Sequence, residues 1–262
     1  MITFTDHLWG YRLTYPNDWV EQRSNEIQAF AAVPEALNQN YTGPQAGYLL
    51  VRGEFNHTAE SIDPLWSSHI TKISMMVGAK NLGSAPFAVE GGTGYEAEIV
   101  LPKTKNKRLW TGILSYGLAI LHLMVEHPLD QRVFFEPLVT GIIASLRFIH
   151  HLPNLTTTER NIPLPPVFEN INPKSILSDI DDHQEWEAYA VEDTTGSLQA
   201  FYTRELPHYG WEISDFTPYP NQSEIQLARF HLTKGEENAV LGILPKPRED
   251  IASGIVIRYL IS

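Results

Sequence analysis

Glu90-Gly-Gly-Thr-Gly-Tyr95 is the densest glycine cluster in the chain and the first segment to test for phosphate chemistry. A phosphate loop needs Gly-Lys-Ser/Thr opening a helix, so that backbone N–H groups and the helix dipole converge on the anion. No lysine follows here and Tyr95 opens a strand, so the pattern predicts a turn with positive φ. Asp179, Asp181, Asp182 and His183, followed by Glu185 and Glu187, offer oxygen ligands. A hard-cation loop also needs a sharp glycine turn and a distal glutamate in register, and both are missing. That run reads as a solvated boundary. His150 and His151 are adjacent and point to different sides of an extended chain, while His122 and His127 lie in or after a strand and meet other groups only through the fold. No metal site and no cofactor are predicted. There is no Gly-x-Ser-x-Gly elbow, and Ser115-Tyr-Gly falls in a hairpin, so no catalytic residue is predicted. Glu96, Glu98 and Glu126 fall on strands, where alternation places them on a solvent-facing side.

Two features point to a partner. Lys103-Thr-Lys-Asn-Lys-Arg108 gathers four of the nineteen basic residues, Lys103, Lys105, Lys107 and Arg108, in an expected hairpin loop between Leu101 and Leu109. Such a tip either repels edge pairing or docks an acidic surface. Of the six tryptophans, most fall on predicted apolar faces, whereas Trp9 and Trp186 sit near domain edges, where an indole anchors an interface or lines a pocket.

The elements that carry these residues are read from periodicity. Tyr11-Arg-Leu-Thr-Tyr15 alternates and stops at Pro16-Asn17-Asp18, a strand running into a turn. Residues 26–33 and 48–55 predict further strands. In 62–77, Ile62, Leu65, Trp66, Ile70, Ile73, Met76 and Val77 recur at three and four, one face of a helix, with Asp63-Pro64 as N-cap and N1 and Gly78 at C′. Residues 94–101, 109–116 and 119–126 predict three successive strands, and 130–148 a second helix with Pro137 inside it. Residues 151–183, rich in Pro and Thr, read as a linker between a domain at 1–150 and a smaller one at 184–262. In the latter, 185–191 predicts a strand, Ser197 caps a helix closed by Gly210, and a meander of strands follows.

Composition excludes whole classes of function. With 262 residues, 43% of them hydrophobic, the chain has material for two cores. A net charge of −12 argues against general affinity for nucleic acid or anionic membrane. The absence of cysteine removes disulfides, thiolate metal sites and cysteine catalysis. No apolar run is long enough to span a bilayer. Met1-Ile-Thr-Phe-Thr-Asp-His7 has neither a basic nor an apolar leader region, which predicts a cytoplasmic protein, or an extracytoplasmic one if an export signal was trimmed.

Tyr11-Arg-Leu-Thr-Tyr-Pro-Asn-Asp-Trp19 resembles the opening strand and turn of the PsbP/Mog1-like superfamily, and Ile142-Ile-Ala-Ser-Leu-Arg-Phe148 resembles the phrase that leads out of its last helix. The resemblance covers Tyr11 to Phe148. It implies an α+β fold, a PsbP/Mog1-like α-β-α sandwich with a mainly antiparallel sheet. Phe201-Tyr-x-x-Glu-Leu-x-x-x-Gly210-Trp211 is similar to small domains of unknown function appended to bacterial proteins, implying a smaller C-terminal β-α-β-β-β domain. Characterised members of the superfamily bind and assemble other proteins, and no functional residue carries over, because the matching positions are core and turn. The expected function is a non-enzymatic protein-binding or assembly module presenting Lys103 to Arg108 to a protein partner. Small-molecule or lipid binding between the domains and an unrecognised hydrolase are the alternatives.

Overall fold

The computed structural model describes residues 1–24, 26–38, 41, 43, 45–77, 80–100, 107–177, 185–221 and 226–260. The chain divides into two compact units, Met1–Asp6 with Tyr11–Ile149, and His7–Gly10 with His150–Ser262.

The first unit contains β1 (Ile2–Asp6), β2 (Tyr11–Tyr15), β3 (Val20–Ser24), β4 (Ile27–Ala31), β5 (Tyr48–Phe55), α1 (Ile62–Val77), β6 (Lys80–Val89), β7 (Gly92–Val100), β8 (Lys107–Tyr116), β9 (Ala119–Pro128), α2 (Arg132–Ala144) and β10 (Arg147–Phe148). Seven strands form one sheet in the order β3-β4-β5-β9-β8-β7-β6, every neighbour antiparallel. Hairpin connections make antiparallel pairing the natural outcome of so short a chain path. Because side chains alternate, Ile113 and Ile120 face one side and Leu121, Leu123 and Val125 the other. The first side packs Ala97, Ile99, Leu109, Ile113 and Ile120 against Ile62, Leu65, Trp66, Ile70 and Ile73 of α1. Phe135, Val139 and Ile142 of α2 are buried on the second side. A small sheet, β1-β2-β10, shares that side, where Phe4 and Tyr15 meet Phe30 of β4 at ring separations of 5.3 and 4.9 Å. The unit is an α+β sandwich with a central antiparallel sheet.

The second unit contains β11 (Glu169–Asn170), β12 (Trp186–Val191), α3 (Thr195–Glu205), β13 (Glu212–Thr217), β14 (Ala228–Lys234), β15 (Glu237–Arg248) and β16 (Ile251–Leu260). Its sheet runs β11-β12-β16-β15-β14-β13. Four strands follow the helix, β13 to β16, and β11 adds a short rim. Leu198, Phe201 and Tyr202 of α3 are buried with Phe230, Leu241, Ile243, Ile255 and Ile257 of the strands. The proline-rich stretch after His150 belongs to this unit. Leu152, Ile162 and Leu164 are buried, the Thr158 hydroxyl accepts from Ile162 N and from the Tyr259 hydroxyl, and Trp211 Nε1 donates to Asn161 O.

Several ends differ from the sequence reading, for local reasons. Helix α1 starts at Ile62, so Asp63 lies inside its first turn, where it accepts the Tyr95 hydroxyl at 2.6 Å. Gly78, expected at its C′ position, lies outside the described residues. Helix α2 stops at Ala144 because Ser145 turns its hydroxyl to Ile142 O and takes the Thr14 N–H, which sends Arg147–Phe148 out as a strand beside β2. The cap of α3 is Thr194, whose hydroxyl accepts from Ser197 N at 3.2 Å. Thr194→Ala should therefore cost about 1 kcal/mol in urea unfolding. The glycine cluster forms the expected turn, with Gly91 at φ 86° between β6 and β7. Among the described residues, no helix is long and apolar enough to cross a membrane.

Candidate functional site

Strand parity builds two hollows in the first unit, one on each face of the large sheet. On the α1 side, Arg52 and Glu54 of β5 stand two residues apart, His122 of β9 pairs across from Arg52, and Thr111 of β8 lies across from Met124. Helix α1 adds Leu65, Ser68, His69 and Lys72 over them, enclosing a cavity of about 320 Å³. The polar groups in and behind its wall form one connected row. Glu54 Oε2 lies 3.0 Å from His122 Nε2 and 2.7 Å from the Arg52 guanidinium. His122 Nδ1 faces His69 Nδ1 at 3.2 Å, His69 Nε2 faces Thr111 Oγ at 2.8 Å, and the Thr111 hydroxyl donates to Leu123 O at 2.9 Å. The His122 Nε2 contact is an ion-pair approach rather than an aligned hydrogen bond. His122 and the neighbouring Arg52 and Lys72 cations hold the Glu54 carboxyl down at about 2, against the opposing pull of burial. Burial, with the same cations, lowers His69 to about 4, so its ring is neutral near neutral pH.

On the α2 side, a groove of about 370 Å³ runs between the helix and strands β6 to β9. Its floor is Trp110, Phe87, Val125, Val139 and Ile143, with Phe87 edge-on to Trp110 at 5.6 Å. Its rim is acidic. Glu96 accepts from the Trp110 indole N–H at 2.9 Å, Glu98 pairs with Arg108 at 2.5 Å, and Glu136 pairs with Arg132 one helical turn away at 2.8 Å.

The residues singled out from sequence are distributed differently. Lys103 and Lys105 lie outside the described residues, as does the acidic run 179–183. Lys107 and Arg108 are not in a loop tip but open strand β8, opposite Pro128 and His127. The strand extends that far because the Lys107 ammonium reaches Glu126 at 2.5 Å and Arg108 reaches Glu98 across β7. Lys107, 7% exposed, is consumed by that pair. Trp9 is only 2% exposed and is core of the second unit. Trp186 is half-buried, with the Arg258 guanidinium 5.4 Å over its ring. Glu96 and Glu98 line the groove, whereas Glu126 stands on the opposite sheet face with Tyr48 and Lys107. Missed altogether was His69 as a partner of His122. The signal was present, since His69 falls on the α1 stripe, three residues after Trp66 and four before Ile73.

No family model and no curated protein matches the chain. It is similar to solved structures, among them cyanobacterial PsbP (CyanoP) from Synechocystis sp. PCC 6803, at 12% identity and a TM-score of 0.43 over 56% of this chain and 91% of that one. PA94 of Pseudomonas aeruginosa, a protein of unknown function, aligns at 13% identity and a TM-score of 0.39 over 55% and 92%. A protein of Bacteroides thetaiotaomicron VPI-5482 aligns at 10% identity and 0.40 over 92% and 85%.

Proposed function

We propose that the chain is a non-catalytic accessory protein whose first unit docks a basic, apolar segment of a protein partner along α2. The observation that supports this most directly is the outer side of that helix. A surface helix of a globular protein normally turns charge toward water. Here Val133 (89% exposed), Phe134 (54%), Pro137, Thr140, Gly141 and Ala144 face outward, and the only charges, Arg132 and Glu136, neutralise each other. This apolar side runs directly into the groove, because Thr140 and Ala144 also line it.

Electrostatics select the partner. With Glu98 paired to Arg108 and Glu136 to Arg132, Glu96, bonded to the neutral Trp110 indole, weights the groove negative, and the whole chain carries −12, so a positively charged segment is drawn in and an acidic one repelled. Trp110, on the floor, is the natural anchor for an apolar side chain. Hydrolysis finds weaker support. His69 is bonded to a hydroxyl, but Thr111 is fully buried and its proton is already given to Leu123 O, so it offers no nucleophile to a substrate.

The test uses two labelled synthetic peptides of matched apolar pattern, one rich in Lys and Arg and the other in Glu. Fluorescence anisotropy should show saturable binding of the basic peptide alone, weakened by salt. Trp110→Ala or Val133→Lys should each reduce affinity about tenfold or more. Equal binding of both peptides, or affinities indifferent to both substitutions, would refute the reading.

A further inference from the structure

The α1 cleft lies on the opposite face of the sheet from the groove, and the placement of protons on its two imidazoles fixes its charge. The Thr111 hydroxyl gives its own proton to Leu123 O, so it accepts from His69 Nε2, and that nitrogen carries hydrogen. His69 is the neutral ring, which leaves its Nδ1 as a lone pair. The 3.2 Å contact between the two Nδ1 atoms is then a hydrogen bond donated by His122. On its other side His122 Nε2 approaches the Glu54 carboxylate at 3.0 Å, which calls for hydrogen there too. With both nitrogens protonated, His122 is an imidazolium.

We propose that the α1 cleft binds a small organic monoanion, a carboxylate carrying a short apolar body. Around the cavity stand three cations, Arg52, Lys72 and His122, and two carboxylates, Glu54 and Glu60. The surplus is one positive charge, in a chain whose net charge is −12. The cations are also poorly compensated in geometry. Glu54 Oε2 serves both Arg52, at 2.7 Å, and His122, at 3.0 Å, and the buried His122 Nε2 has no aligned acceptor. His69 feels the result. After burial, the fields of His122, Arg52 and Lys72 lower its affinity for a proton, and the opposing pull of Glu54 is the smallest contribution. Arg52 and Glu54 come from β5, His122 from β9 and Lys72 from α1, so regular elements carry these charges.

The rest of the wall decides what the anion is attached to. Phe55, Leu65, Ile113 and Ile120 line the cavity beside the charged groups, a surface that an inorganic ion would leave unused. The volume, about 320 Å³, lies at the lower end of the range for small-molecule sites. Arg52 reaches Glu54 through one terminal nitrogen, and the rest of its planar fork suits a second carboxylate. The single charge of a carboxylate matches the surplus of one, whereas a phosphate dianion would have Glu54 and Glu60 to oppose it. The Ser68 and Thr58 hydroxyls add neutral donors.

The full chain, labelled with nitrogen-15, is titrated with benzoate at constant ionic strength and followed through its amide resonances. Saturable shifts are expected at the amides of β5, β9 and α1 that line the cleft. Benzylamine, of similar shape and opposite charge, should leave them in place. Inorganic phosphate should bind at least about tenfold more weakly than benzoate, because it covers none of the apolar wall. Lys72→Glu should weaken benzoate about tenfold, and Glu60→Gln should tighten it about threefold. Both side chains are exposed, and a loss of fold would not produce effects of opposite sign. Shifts that do not saturate, an equal response to benzylamine, or phosphate bound as tightly as benzoate would overturn the proposal. So would an affinity indifferent to either substitution.

Discussion

Glu205→Ala should destabilise the second unit by about 3–5 kcal/mol, the cost of stripping one partner from a buried ion pair. Glu205 is fully buried and Arg204 is 6% exposed, with Arg204 Nε 2.7 Å from Glu205 Oε1. The second carboxylate oxygen accepts from His151 Nδ1 at 2.9 Å and from Leu152 N at 3.1 Å. Removing the carboxylate takes the counter-ion from a buried guanidinium and the acceptor from a backbone N–H and an imidazole together. Replacing Arg204 as well would not restore the balance, because it also donates to His7 O and Leu8 O. Gly10, at φ 70°, leaves space that any side chain would take from the guanidinium. Urea unfolding should show the loss, and Glu205→Gln, which keeps the shape and an acceptor, should lose less. Equal stability of Glu205→Ala and the parent chain would show that the network contributes nothing net.

Phe135→Ala should cost about 3–5 kcal/mol in the first unit, the range for emptying a buried aromatic site. Phe135 is fully buried, and its ring occupies the space where Gly47 lacks a side chain. Trp19 and His127 lie beside it at 6.2 and 6.3 Å, the latter stacked. It is the residue that pins the first half of α2 to the sheet, so its loss should also reduce peptide affinity in the groove, although Phe135 is not itself part of the groove lining. Denaturant unfolding and anisotropy on the same variant check both effects. Loss of stability with full peptide binding would mean that α2 is held elsewhere.

The regular elements were legible where periodicity was strong. Helix α1 was readable from Ile62 to Val77 because its apolar stripe spans sixteen residues without interruption. Strands β5 and β9 were readable because both are buried in the sheet centre. Strand β6 was not, because it is exposed along most of its length and carries no alternation to detect. The basic run misled for a related reason. Whether Lys107 and Arg108 belong to a loop or a strand depends on cross-strand carboxylates, and Glu126 and Glu98 become neighbours only once the register is set. The imidazole pair shows the same limit. His69 lay on a readable helix face and His122 on a readable strand, yet 53 residues separate them and no spacing rule records where α1 crosses the sheet. Parity did place Glu96 and Glu98 together, but without the position of α2 their side looked like open solvent.

Strand β6 closes the large sheet, and its outer rim is a poor template for a neighbour. Gly83, at φ 143°, sits where the register with β7 slips between Asn81 and Ser84, and Pro86 has no N–H to offer. A second chain laid against that rim would find the ladder broken twice within a few residues. Fibrillar stacking is thereby discouraged at this edge of the sheet, leaving Leu82 able to stay wet without inviting polymerisation.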